Sequence, residues 1–249
     1  MPSQNRINQI NLTLRMKRLS VLYGFNNERE LPLPHDRLDY LLVGIEEVAR
    51  SIRKGFGPEL ISIALARVFA RLTCFIDGLH TAHYFFSFAF SLAKKYPRAA
   101  CRSCAKTICL CPRNRSAISF EISPDPIQVV RWDLEHWQDH FDHVFGAVNR
   151  ENGLEALLLH LYEEYVELMK AWSIISSVHI MDSDGCWLIA SECADVFAFI
   201  MAIGNYYRAN VQRAAQDRYG NGCWKCNALQ QCRCQPVRIL SATWEPLAA

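Results

Sequence analysis

The chain has almost no surplus charge: 27 Lys and Arg stand against 25 Asp and Glu, a formal net charge of +2. So even a balance does not hold nucleic acid by bulk electrostatics, and nucleic acid is not an expected partner. An uninterrupted apolar run of the ~18 residues a membrane helix needs is also missing. The most apolar stretch, Leu60 to Ala93, is broken by Arg67, Arg71, Asp77, His80 and His83. The opening MPSQNRINQINLTLRMKRLS contains no apolar core of a signal peptide. Strand-like alternation is nearly lacking. These absences make a membrane partner unexpected and point to a cytoplasmic, helical protein. With 51% apolar and 21% charged residues the chain has the makings of a packed core, not of disorder. Its 249 residues allow one large domain or two of about 125.

What the chain does have is cysteine, 11 in all, and eight of them fall in two short clusters. Cys101, Cys104, Cys109 and Cys111 form the first, and Cys223, Cys226, Cys232 and Cys234 the second. Each reads CxxC, a short spacer, then CxC. Four thiolates so close in sequence could close one tetrahedral Zn²⁺ site or an iron–sulfur centre, and structural zinc is the expectation. Lys106, Arg102, Lys225 and Arg233 stand nearby to offset the negative charge of such a site. The competing reading is reduced structural or redox thiols.

The clusters are also register marks. CRSCAKTICLCP matches CWKCNALQQCRCQP, KKYP (94–97) matches DRYG (217–220), and ALARVFARL (64–72) matches ECADVFAFI (192–200). LDYLLVGIEEVARSI (38–52) matches LEALLLHLYEEYVELMKA (154–171), and LYGFNNERE (22–30) resembles VFGAVNREN (144–152). The order is the same throughout, so the chain is an internal duplication with a period of roughly 120 residues. Residues 1–112 form one copy, 113–127 a Pro- and Ser-rich linker, 128–236 the second copy and 237–249 a tail. Apolar spacing of three and four, as in Leu154, Leu157, Leu158, Leu161, Tyr165, Leu168 and Trp172, makes each copy helical. The expectation is an all-α pair of bundles. Each copy would be a helix ending at its YGxxN-type turn, two long core helices, a further helix and a cysteine knuckle.

The second copy carries the chemistry. Glu164 and Glu167 are three residues apart and share a helix face; Glu192 and Asp195 do the same. Both pairs border apolar stripes. Buried carboxylates in a group repel one another and raise one another's pKa values unless a cation neutralises them. A hard divalent cation such as Mg²⁺ does so through oxygen ligands.

EEYVE followed by ECAD resembles the EExxE…ExxD signature of the MazG-like all-α nucleotide pyrophosphohydrolases, over most of residues 130–220. That resemblance implies a tandem pair of MazG-like bundles. It implies Mg²⁺ (or Mn²⁺) held by Glu164, Glu167, Glu192 and Asp195, with Glu163 as a supporting carboxylate or water-orienting base. It implies hydrolysis of a nucleoside triphosphate to the monophosphate and pyrophosphate. Arg208, Arg213 and Arg218 become candidate phosphate clamps, and His140, Trp137 and Trp172 weak candidates for base stacking. Some members of the family are similar also in having a CxxC…CxC tail. The family's compact oligomers suggest a pseudo-dimer within the chain, a higher homo-oligomer remaining open.

The first copy departs from the pattern. Glu46 and Glu47 match Glu163 and Glu164, but Arg50 replaces Glu167, Ala64 replaces Glu192, and Arg67 replaces Asp195. The charge of the four ligand positions passes from −4 to +1. Residues 20–111 thus read as a pseudo-enzyme copy, in which Arg50 and Arg67 pair with Glu47 and nearby carboxylates; phosphate binding is the sharper alternative. His136, His140 and His143 share a helix face opposite Trp137, Phe141, Val144 and Phe145, and are expected to face solvent or a cleft. Beside the hydrolase stands a reading from a different class, a non-catalytic nucleotide-sensing or protein-interaction module with structural zinc knuckles.

Overall fold

The computed structural model describes residues 11–31, 33–79, 84–98, 101, 103–104, 106–109, 111, 125–178, 183–223, 225–232 and 234. Among them every regular element is helical: α1 Leu12–Glu30, α2 Pro34–Arg53, α3 Pro58–Gly78, α4 Tyr84–Lys95, α5 Pro126–Arg131, α6 Leu134–Val178, α7 Ser183–Tyr207 and α8 Val211–Tyr219. The all-α expectation holds. Most of the linker, and the whole tail, lie outside the described residues; the linker's last residues, 125–127, open α5.

Helix starts follow from side-chain caps. Asn11 accepts from the Leu14 N–H, Asp125 from Ile127, Asp133 from His136 and Asn210 from Arg213, at 2.7–3.0 Å. Each satisfies a backbone donor that the first turn leaves free. The two YGxxN-type segments behave differently. In the first copy the backbone stays helical through Glu30, so the expected turn within 22–30 is absent. In the second copy the helix runs to residue 152 and breaks at Gly153, whose φ of 81° lies in the region only glycine enters cheaply. The break separates an aromatic segment, 134–152, from the core segment 154–178.

Two compact units form, and they do not follow the sequence copies. The first contains Met1–Lys17 and His83–Tyr206, the second Arg18–Ala82 and Tyr207–Ala249. The division at 1–112 and 128–236 describes the repeat in the sequence; packing cuts the chain elsewhere. In the first unit, α4 of the first copy joins α6 and α7 of the second, with Phe88 edge-on to Phe197 and Tyr96 edge-on to Phe141. In the second unit, α8 of the second copy packs on α3 of the first, and α3 on α2. Each unit therefore takes its core helices from one copy and its last helix and knuckle from the other.

The segment Trp187–Tyr207 is long and apolar enough to cross a membrane, and 72% of its most apolar 18-residue window is buried inside the structure. Its residues Val196, Phe197, Ile200, Met201 and Ile203 are core of the first unit.

Arg37 pins the second unit. It is 1% exposed, donates from Nε to the Leu31 carbonyl at 2.8 Å and from Nη1 to the Cys74 carbonyl at 3.0 Å. Gly78 gives it room: a Cβ there would stand 2.5 Å from the guanidinium. Gly78→Ala must displace a group whose hydrogen bonds cannot be remade in the core. It should cost about 2 kcal/mol, seen as a lower midpoint in chemical denaturation.

Candidate metal centres and the carboxylate site

The two cysteine knuckles are built alike. In the first, the Cys101 N–H donates to the Lys106 carbonyl at 2.9 Å, and the Cys111 N–H to Cys109 Sγ at 3.5 Å. In the second, Cys223 donates to Ala228 at 2.8 Å and Cys234 to Cys232 Sγ at 3.5 Å. The docking is equally matched. Cys109 donates to the Val144 carbonyl at 2.7 Å, and Cys232 to the Leu22 carbonyl at 2.8 Å. Val144 and Leu22 occupy corresponding positions of the two copies, so each knuckle sits on the first helix of the opposite copy. Apolar contact completes the seat: Val144 with Phe145 and Val148 in one unit, Leu22 with Tyr23 in the other.

All four sulfurs of each knuckle lie within 4.8 Å of one another. Tetrahedral zinc with Zn–S of about 2.3 Å sets sulfurs about 3.8 Å apart. The pairs Cys101–Cys111, Cys223–Cys234 and Cys226–Cys232 stand at 3.9, 3.8 and 3.6 Å. Both clusters could thus bind a metal such as zinc. Burial works against ionising Cys223. Hydrogen bonds from the Cys232 thiol and from the backbone at Lys225 and Cys226 nonetheless bring it down to about 6, toward the thiolate that metal binding needs. Lys106 and Lys225 are exposed beside the clusters, while Arg102 and Arg233 lie outside the described residues. Elemental analysis should return about two zinc ions per chain, and Cys104→Ser and Cys226→Ser should each remove one.

The carboxylates come together in the first unit. Glu164 and Glu167 follow the Gly153 break on α6, and Glu192 lies on α7; one oxygen of each falls within 4.8 Å of the others. Asp195, buried one turn beyond Glu192, is engaged differently. Its Oδ2 pairs with Lys95 Nζ, and its Oδ1 accepts from the Tyr96 hydroxyl at 2.6 Å. Lys95 also donates to the Ser191 carbonyl at 3.4 Å. Gln128 fixes this stretch, donating to the Tyr96 carbonyl at 3.1 Å and accepting from the Arg98 N–H at 3.0 Å.

Charge repulsion is written into the titration of the group. Burial first, then Asp195 and Glu167, push Glu164 up to about 8 against the opposing pull of Lys95. Glu192 and Asp195 are raised for the same leading reason, burial, with Lys95 again opposing. Burial, reinforced by Asp195, holds Tyr96 neutral.

The other candidates are placed as follows. Glu163 is exposed and pairs with His160 at 2.8 Å, while the His160 ring stacks on Phe199. Trp172 is half-buried on α6, and Trp137 is fully buried. His140 is buried, not solvent-facing as expected. Trp132, Trp137 and Phe141 surround it, and burial brings it down to about 4, so the ring is neutral. His136 pairs with Asp133 at 2.7 Å, beside the α6 cap, and His143 is exposed. Arg208, Arg213 and Arg218 all belong to the second unit, where Arg213 pairs with Asp217 on the surface.

In that second unit Glu47 is paired, as the sequence suggested. Arg67 reaches it at 3.8 Å, but the closer partner is Arg71 at 2.9 Å, a residue the sequence reading noted only as a break in an apolar run. Arg50 pairs with Glu46 on the surface instead. Lys95 and Tyr96 were likewise overlooked, although KKYP and DRYG had been matched between the copies; a motif that recurs beside each knuckle was the available signal.

Comparison with protein-family models gives no match, and none is found among curated proteins or solved structures.

The raised Glu164 gives a pH signature. Between its ordinary value of 4.5 and about 8 the folded state holds a proton the unfolded chain has lost. Stability of the protein without divalent cation should therefore fall as pH rises through that window and level off above it. Glu164→Gln should flatten the decline, as read from melting temperature against pH.

Proposed function

We propose that the chain is a Mg²⁺-dependent nucleoside triphosphate pyrophosphohydrolase of MazG-like type, acting through the carboxylates of its second copy. The observation that carries this reading is the convergence of Glu164, Glu167 and Glu192, one oxygen of each within 4.8 Å of the others, between two core helices. Three hard oxygen donors, partly buried and mutually repelling, fit a divalent ion; nothing softer is called for by the donor set. The Mg²⁺ would offset phosphate charge and favour ionisation of the attacking water. Glu164, titrating near neutrality, suits the transfer of a proton at physiological pH better than the exposed Glu163. Lys95 and Tyr96 would hold Asp195 in a fixed orientation at the edge of the triad, as a supporting fourth carboxylate.

The architecture proposed with it is a tandem MazG-like pseudo-dimer inside one chain. The exchange of last helix and knuckle between copies supports it, since each unit is built from elements of both copies. The zinc knuckles would be structural in this reading. The alternative is a non-catalytic nucleotide-sensing or interaction module, favoured by the replaced ligands of the first copy.

The test is pyrophosphate release from a panel of ribo- and deoxyribonucleoside triphosphates with Mg²⁺. At least one should be turned over, and Glu192→Ala should slow it by roughly 100-fold or more, the upper end of what losing even an outer-sphere partner costs. Binding without turnover across the panel would favour the sensing module.

A further inference from the structure

We propose that Tyr96 is a positioning residue through which the first cysteine knuckle sets the affinity of Glu164, Glu167 and Glu192 for a divalent cation. This coupling rests on the reading of those three carboxylates as a cation site.

Tyr96 is the first residue beyond α4, so its place depends on what it touches. Its backbone is held at both polar groups: the N–H donates to the Leu92 carbonyl at 2.9 Å, and the carbonyl accepts from the buried Gln128 at 3.1 Å. Its ring makes two edge-on contacts, with Phe141 at 4.9 Å and with Phe145 at 6.0 Å between centroids. Phe145 in turn packs against the first knuckle, beside Val144, whose carbonyl accepts from the Cys109 N–H at 2.7 Å. The far end of the Tyr96 ring is the hydroxyl that donates to Asp195 Oδ1 at 2.6 Å. A continuous line of contacts therefore runs from the four cysteines through Phe145 and Tyr96 to Asp195, all within the first unit.

The same line is laid down in the second unit. Tyr219 and Tyr23 occupy the positions of Tyr96 and Phe145. Their rings meet edge-on at 5.9 Å and 88°, against 6.0 Å and 88° for Tyr96 and Phe145. Tyr23 packs against Leu22, Cys223 and Cys232, as Phe145 packs against Val144, Cys101 and Cys109. A ring pair so placed beside each knuckle is part of how the unit is built. What lies beyond the pair differs: Asp195 of the first unit corresponds to Arg67 in the second. Asp195 is buried one turn beyond Glu192, and its other oxygen pairs with Lys95. Without the Tyr96 hydroxyl it keeps Lys95 but is free to rotate away from the three glutamates. Coupling between separated sites is carried by such chains of packed side chains and hydrogen bonds. The first knuckle, closed on zinc, would hold Phe145 and, through it, the hydroxyl.

Calorimetric titration of the purified full-length protein with Mn²⁺ provides the test, with zinc content measured alongside. Mn²⁺ is a hard ion suited to carboxylates, so thiols freed in a variant compete for it little. Cys104→Ser should weaken Mn²⁺ binding about ten-fold or more, the usual effect of losing an outer-sphere partner, and should cost one zinc. Phe145→Leu and Tyr96→Phe should each weaken it with zinc content kept, since one cuts the line in its middle and the other removes only the hydroxyl. These two carry the test should Cys104→Ser fail to fold, as far-UV circular dichroism would show. Combining Cys104→Ser with Tyr96→Phe should weaken binding no further than either alone, as two breaks in one path do. Cys226→Ser, which opens the knuckle of the other unit, should have several-fold less effect. Additive losses in the double variant would overturn the proposal, as would unchanged affinity in Phe145→Leu or an equal loss in Cys226→Ser. If the wild type takes up no Mn²⁺, the cation reading fails and amide hydrogen exchange decides the coupling. Exchange over residues 190–197 of α7 should then be faster in Cys104→Ser and Phe145→Leu than in the wild type, and equal rates would overturn the coupling as well.

Discussion

A charged side chain on the inner face of a helix must be met by opposite charge, because the surrounding apolar surface gives back little of the hydration it has lost. Both units carry this constraint at the same place, the crossing of their two long core helices. The first unit gathers Glu164, Glu167, Glu192 and Asp195 there, with Lys95 paired to Asp195. The second sets Glu47 against Arg67 and Arg71.

The helices that complete each crossing come from the opposite copy, and the knuckles hold them there. The hydrogen bond from Cys109 to Val144 and its counterpart from Cys232 to Leu22 seat each knuckle on the first helix of the partner copy's sequence. A four-sulfur cluster too small for a hydrophobic core of its own gains rigidity from that seat, and a metal such as zinc could add to it. Since Lys95 and Tyr96 lie a few residues before the first knuckle, and Arg218 and Tyr219 a few before the second, the position of each sulfur cluster fixes which side chains reach each charged crossing.

Much of this was legible in the sequence because helical spacing and cysteine spacing are local patterns. The helices, the two knuckles, the pairing of Glu164 with Glu167 and the pairing of Glu47 with arginine all follow from residues close together or from the repeat. The exchange was not legible. In a duplicated chain α4 and α8 carry equivalent marks, so either fits either core by pattern, and only three-dimensional packing chooses between them. The role of Arg71 was hidden for a related reason: it depends on Gly44, a residue of another helix whose missing side chain is the space the arginine fills. His140 was misplaced because its helix face was judged from the opposite stripe alone, whereas Trp132, from beyond the start of α6, closes over it.

The exchange also explains why the two copies, whose side chains differ at three of the four carboxylate positions, remain tied to each other. The first copy's α4 and the residues just after it supply Lys95 and Tyr96 to Asp195, and its cysteine cluster anchors that stretch through Val144. Remove it and Asp195 would lie buried with no counter-charge, while α6 and α7 would lose the aromatic contacts from Phe88 and Tyr96. The second copy is equally bound, because its α8 covers α3 and its cysteines seat on α1. Two copies that each complete the other cannot be lost singly. Within that mutual dependence the charged side chains at the helix crossings could differ in sign between the copies, since the helices around them are held in place by the other.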